Sequence, residues 1–423
     1  MREMKDSGIE WIGQIPKGWD VVPHKRVMHK VKEICEQYNG EDIISLTMNG
    51  VIKRDLTAGG KMPTSFDGYQ YVKPNDLLLC LFDIDVTPRC VGVVKDYGVT
   101  SPAYSRFVMH DGYYNAYYDY LLRAIDDDKV FVHLSKNLRS SLTESDFGAI
   151  KTCVPSLAEQ ERIAAFLDAE CAEIDTVLEK TRASIEEYKK LKQAVITQAV
   201  IKGIRGDRPM KDSGIEWIGD IPAEWTASKI KYCTEFAPSC NTSHLSEDSL
   251  VTFTPMECIK NGYFEKREAP FSALSSSYTQ YQEGDIVFAK VTPCFENGNI
   301  AIMQGLSAGF GFGSSELFVI RPKSVNAEFI FYYLQNDIFK QYACATMTGT
   351  GGLKRVSPTF VRNYSVFIPS NEEQLEIVRY LNEKCSGIEV MIAKKQQYLT
   401  EIENYKKSLI YEYVTGKKEV LPL

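Results

Sequence analysis

The ten residues MKDSGIEWIG stand at Met4–Gly13 and again, unchanged, at Met210–Gly219. An identity of that length, 206 positions apart, is an internal duplication. The chain must therefore fold as two versions of one unit. The copies continue through Ile15-Pro16 and Trp19, matched by Ile221-Pro222 and Trp225, and then diverge. Likeness returns where Val154–Asp175 aligns without a gap on Ile368–Glu389. The offset there is 214, so the second divergent stretch is eight residues longer than the first. The order is variable, shared, variable, shared, with boundaries at 1–154, 155–206, 207–368 and 369–418.

The shared stretches read as long helices. Pro155-Ser156 followed by Glu159, and Pro369-Ser370 followed by Glu373, carry the signature of a capping box at a helix start. Behind each start runs a heptad pattern. Its apolar slots hold Leu167, Ile174, Leu178, Ile185, Tyr188 and Val195 in the first copy. The second copy fills them with Leu381, Ile388, Ile392, Leu399, Ile402 and Leu409. Gly203 and Gly206, and Gly416, supply C-terminal stops. Each helix should reach about 65 Å. Matched caps and matched heptads predict that the two pack on each other as an antiparallel coiled coil, against the alternative of two unrelated amphipathic helices on separate domains.

The variable stretches read as mixed α/β. Asp76–Phe82 and Asp285–Val291 are expected strands introduced by turns at Pro74-Asn75 and Glu283-Gly284. Tyr117–Ile125 and Ala327–Asp337 are expected short helices whose aromatics belong to the core. The glycines of Gly309–Glu316 read as a turn. Trp11, Trp19, Trp217 and Trp225 are the only tryptophans and all lie in the repeated element, which makes them core or docking anchors rather than base-stacking platforms.

Catalytic signatures are missing. No phosphate-binding G-x-x-x-x-G-K-[ST] occurs, since GTGGLKR at Gly349–Arg355 lacks both spacing and hydroxyl. No Asn-Pro-Pro-aromatic tetrapeptide is present, and Glu187-Tyr188-Lys189 lies mid-helix without a partner aspartate. His24, His29, His110, His133 and His244 form no ligand-spaced cluster, so no metal is expected. The eleven cysteines are odd in number and never spaced as Cys-x-x-Cys, which fits free thiols in a reducing compartment. With no apolar leader and no membrane-length apolar run, the expectation is a cytoplasmic chain without membrane contact. Net charge is −7, and no segment is basic: 19 cations against 21 anions in 1–154, 8 against 9 in 155–206, 14 against 17 in 207–368, 8 against 8 in 369–418. A nucleic-acid surface would have to be local.

The motif KDSGIEWIGxIPxxW entering each variable stretch, and (V/I)PSxxEQxxI entering each helix, resemble the specificity subunits of type I restriction–modification systems. The resemblance implies two target recognition domains in tandem, 1–154 and 207–368, each reading one half of a bipartite site in double-stranded DNA. It implies that the spacer helices 155–206 and 369–418 pair as an antiparallel coiled coil, set the distance between half-sites and hold two modification subunits. Restriction subunits join when present. S-adenosylmethionine, ATP and Mg2+ then belong to the partner chains; this chain carries no cofactor and no catalytic residue.

Base edges and phosphates call for Arg, Lys and Asn near turns and strand ends. The first domain offers Lys53, Arg54, Lys61, Arg89, Arg106, Lys136 and Arg139. The second offers Lys266, Arg267, Lys290, Asn297, Asn299, Lys354 and Arg355. The stretches Thr87–Cys90 and Gly349–Arg355 stand out within these sets. The competing reading is a non-catalytic coiled-coil scaffold for protein partners, without DNA affinity; a silent or recombination-donor copy is another.

Overall fold

The computed structural model describes residues 2–48, 50–57, 63–87, 89–135, 140–216, 218–243, 245–274, 277–349 and 352–421. It divides into two compact units, Met1–Arg182 with Gln397–Leu423, and Ala183–Gln396. The architecture is mixed α/β. Two long helices, Leu157–Lys202 and Asn371–Val414, each contribute a part to both units.

Each repeated decapeptide folds as the same small hairpin. Met4–Asp6 pairs with Gln14–Pro16, and Met210–Asp212 with Asp220–Pro222. The Asp6 and Asp212 carboxylates accept the amides of Gly8 and Gly214, both at 2.9 Å. Those glycines sit at φ +63° and +72°, the left-handed region that suits glycine. The chain then enters a strand that pairs antiparallel with the one leading into the long helix: Asp20–Pro23 with Lys151–Val154, and Thr226–Lys229 with Ser365–Ile368.

Within the first unit a four-stranded sheet runs Met28–Val31, Ser105–Met109, Leu77–Leu79, Val91–Val93. The second unit repeats it as Thr234–Phe236, Leu317–Pro322, Ile286–Ala289, Ile300–Ile302. Both expected strands are present in shortened form, because Asp76 and Asp285 belong to the preceding turns, where they accept the amides of Lys73 and Gln282. The first expected helix extends over Asn115–Asp127, burying Tyr117, Tyr118 and Tyr120. The second divides. It stops at Gln335, and Asn336 caps a new helix, Asp337–Ala345, by accepting the Phe339 amide at 2.8 Å.

The glycine-rich stretch taken as a turn is instead the strand Phe310–Gly313, in a second four-stranded sheet and parallel to Leu250–Thr254. The glycine there makes room: a side chain at Gly311 would run into the Tyr281 ring, whose hydroxyl shares a hydrogen bond with Thr254 at 2.7 Å.

The long helices run antiparallel within each unit. In the first, Asp175 pairs with Lys406 and Arg182 with Glu403, both at 2.6 Å, so one number rises as the other falls. In the second, the Lys395 ammonium lies 5.7 Å from the Tyr188 ring and Lys192 pairs with Glu389 at 2.6 Å. Leu167, Leu178, Ile185, Leu381 and Leu409 are buried. Ile174, Tyr188, Val195, Ile388, Ile392, Leu399 and Ile402 are half-buried, as a two-helix seam requires.

The helix starts depart from the capping box. Ser370 accepts the Glu373 amide at 3.3 Å, but the glutamate side chain does not return to the cap. Glu373 accepts the Trp225 indole N–H at 3.1 Å and pairs with Arg208 at 2.5 Å. In the first unit Glu159 takes the Trp19 indole N–H at 3.0 Å and Arg2 at 2.5 Å. The next residue is equally committed. Gln160 accepts the Tyr114 amide and donates to the Pro155 carbonyl; Gln374 accepts the Asn326 amide and donates to the Pro369 carbonyl. Further along, Asp168 accepts the Tyr120 hydroxyl at 2.7 Å and Asn382 that of Tyr332 at 2.6 Å. Four contacts from three helix positions thus fasten each helix to its own globular part, and each is made twice.

Glu373 and Trp225 are both 1% exposed, so the carboxylate cannot be replaced by water without rearrangement. Glu373→Ala should cost roughly 3 kcal/mol, the scale for stripping one partner from a buried charge pair. Arg182→Ala, whose pair with Glu403 is exposed, should cost less than about 1 kcal/mol. Urea unfolding followed by tryptophan fluorescence distinguishes them; equal losses would refute the role given to Glu373.

Candidate nucleic-acid interface

The second unit gathers several of the expected residues in one place. The Thr292 amide donates to the Lys354 carbonyl at 3.0 Å, the Lys354 amide donates to the Thr292 hydroxyl at 3.0 Å, and the Val356 amide donates to the Lys290 carbonyl at 2.9 Å. These bonds draw Lys290, Lys354 and Arg355 together. Lys290 and Arg355 line an open groove of about 880 Å³ together with Glu316, Thr348, Ser357 and Asn363.

Arg355 is half-exposed and fixed. Its Nε donates to both Glu316 oxygens at 3.2 and 3.0 Å, and its Nη2 to Oε1 at 2.6 Å. The bond to Glu316 raises the Arg355 pKa above its ordinary value, and the same bond lowers that of Glu316. Burial lowers the Lys290 pKa, and its ammonium lies 5.5 Å from the Phe318 ring centre. Asn297 is exposed and Asn299 half-buried on the loop that follows Thr292. Lys266 and Arg267 stand apart from this groove, exposed and paired with Glu268 and Glu257.

The first unit makes a different picture. Arg106 is 4% exposed and serves the core, with Nε 2.6 Å from Asp76 and a bond to the Tyr71 carbonyl at 3.0 Å. It holds the turn before the strand Leu77–Leu79, as Arg321 holds Asp285 in the second unit at 2.7 Å. A buried guanidinium already paired cannot reach a base edge, so Arg106 leaves the set of DNA contacts. Arg89 is half-buried, donating to the Val91 and Met48 carbonyls, and burial lowers its pKa. Lys53 is exposed and paired with Asp42 at 2.7 Å, and Arg54 is half-buried. Lys61, Lys136, Arg139 and Trp217 lie outside the described residues, as do Pro88, Thr350 and Gly351 of the two highlighted stretches and His244.

Several residues escaped the sequence reading. Arg2 and Arg208 each precede the repeated decapeptide by two positions, so the alignment held that signal. Glu316 had none, because only the fold brings it to Arg355. Among the described residues no group of three His, Cys, Asp or Glu side chains could hold a metal ion, and no helix is long and apolar enough to cross a membrane.

Residues 253–401, from the strand Leu250–Thr254 into the second long helix, match the family model of the type I restriction modification DNA specificity domain. That is the family the repeated motifs resemble, and the match falls on the second variable stretch and the helix behind it. Over 196 residues it is 30% identical to the type I restriction enzyme EcoEI specificity subunit of Escherichia coli, covering 44% of this chain and 32% of that protein. Over 196 residues it is 31% identical to the EcoAI specificity subunit of the same organism, with the same coverage. The match spans about a third of the length of these two curated relatives. A chain solved in a study of complex assembly and conformational transition of the type I R-M system superposes with a TM-score of 0.70 at 13% identity, covering 96% of this chain and 99% of its own length. The fold is shared with that chain.

Arg106→Ala should destabilise the first unit by roughly 3 kcal/mol by leaving Asp76 buried and unpaired. Arg355→Ala should leave the melting temperature of the full chain unchanged, because its pair is exposed. Differential scanning calorimetry of both variants checks the division; the reverse order would overturn it.

Proposed function

We propose that this chain is the DNA-reading subunit of a type I restriction–modification complex. In this reading 1–154 and 207–368 are target recognition domains, and each reads one half of a bipartite site in double-stranded DNA. The paired helices 155–206 and 369–418 set the number of unread base pairs between the halves and hold two modification subunits, one for each copy of the helix motif. A restriction subunit joins where one exists. The chain recognises without catalysing, with S-adenosylmethionine, ATP and Mg2+ in the partner chains, and it works in the cytoplasm.

One observation carries the reading. The contacts fastening globular part to helix are duplicated residue for residue, whereas among the described residues Lys290 and Arg355 of the second unit's groove have Leu81 and Ser141 at the equivalent points of the first. A scaffold for protein partners gives no reason for equal frames to present unequal faces. Two readers of different letters do. Because both domains are slightly acidic, the lone subunit should bind DNA weakly and lose affinity steeply with salt.

The test separates letters from spacing. Exchanging 207–368 for the same segment of a relative should rewrite one half-site of the methylated sequence and leave the other intact. Adding one heptad after Lys192 and one after Ile388, whose neighbours pair at Lys192–Glu389, lengthens the helices by about 10 Å, or roughly three base pairs. The spacer should change, or methylation should stop, with both half-sites unaltered. An exchange that rewrote both halves, or neither, would refute the two-reader reading.

A further inference from the structure

The two units build one frame, so the side chains at equivalent points can be compared directly. The Val356 amide donates to the Lys290 carbonyl, and in the first unit the Leu142 amide donates to the Leu81 carbonyl at 2.8 Å. Just beyond, Ser357 caps the short helix Pro358–Asn363 and Thr143 caps Glu144–Ala149. Lys290 therefore stands where the first unit has Leu81, and Arg355 where it has Ser141. Strand register gives the third equivalence. Phe288 faces Phe318 and Leu79 faces Ser105, which sets Ala103 at the place of Glu316. The frame forms with Leu, Ala and Ser at these points, so the fold does not require Lys, Glu and Arg there.

Stability does not explain them either, since exposed ion pairs contribute little. What the carboxylate does is hold the guanidinium still. Glu316 occupies the Nε–Nη2 edge of Arg355. The fork that remains, Nη1 with the second Nη2 hydrogen, is planar and pre-oriented beside an open groove. That fork matches the two major-groove acceptors of guanine, O6 and N7. Lys290 lines the same groove and adds a second cation to it.

Resting on the DNA-reading function above, we infer that Arg355, braced by Glu316, reads a guanine in the half-site of the second domain. Arg355 is then a specificity-determining residue and Glu316 its positioning residue. The first domain, with Ser141 at the equivalent point, reads its half-site by other means.

The experiment is methylome sequencing of cells carrying the full chain with its own modification subunits, wild type against R355A, R355K and E316Q. Wild type must first give a bipartite methylated sequence; if it does not, the DNA-reading function fails, not this inference. R355A and R355K should relax a single guanine position of one half-site, raising methylation of the other bases there by roughly 10-fold, the scale of one bidentate contact. E316Q should relax the same position less. The half-site of the first domain should be unchanged. If R355A abolishes methylation, the charge-preserving R355K and the nearly isosteric E316Q decide. Reduced methylation with every letter retained would mean a phosphate contact and overturn the inference, as would relaxation in the other half-site or no change at all.

Discussion

A glutamate in the first turn of each long helix, Glu373 buried and Glu159 half-buried, makes the contact on which the rest depends. Glu159 and Glu373 each accept an indole N–H, from Trp19 and Trp225, and each is charge-paired with an arginine two residues before a repeated decapeptide. A buried carboxylate needs such partners, and the partners in turn need it. The requirement ties three distant points of sequence together: hairpin, following tryptophan and helix start. The neighbouring glutamine adds a fourth by accepting the amide just before Asn115–Asp127 in one unit and Ala327–Gln335 in the other. The repeated hairpin lies between the arginine and the tryptophan of that set, so its ends are held the same way in both units.

Fixing the frame frees the faces. With helix and domain held by the same contacts in both units, exposed residues around the groove carry no part of that fastening. Leu81 and Ser141 in one unit answer to Lys290 and Arg355 in the other, on the same backbone hydrogen bonds. A protein whose task is to discriminate gains from that separation, because its letters can change without its stability changing. The balance of charge fits as well. Cations near the groove are set against acid elsewhere in the segment, so the positive potential is local.

The sequence made the duplication, the helix pair and the mixed α/β class legible, because repeats and heptads are periodic signals. It made the turns before the two strands legible, but it placed Asp76 and Asp285 in the strands and did not reveal them as the anchors of Arg106 and Arg321. Arg106 was unreadable for that reason: an arginine beside a strand looks the same in sequence whether it meets solvent or Asp76. The capping glutamates were read from a local pattern, and a long-range partner prevailed over the cap. Phe310–Gly313 misled because glycines usually mark turns, and only the Tyr281 ring explains why a strand needs them there. Glu316 lies far from Arg355 in sequence, so no spacing rule could have joined them.

The claim that unites these features is that one chain reads two separate blocks of DNA sequence. Comparing the methylomes of cells with and without this gene, modification subunits present in both, tests it most directly. The account predicts that one bipartite sequence, two specified blocks around a run of unread base pairs, is methylated only when the gene is present. A continuous methylated sequence, or identical methylomes, would contradict it.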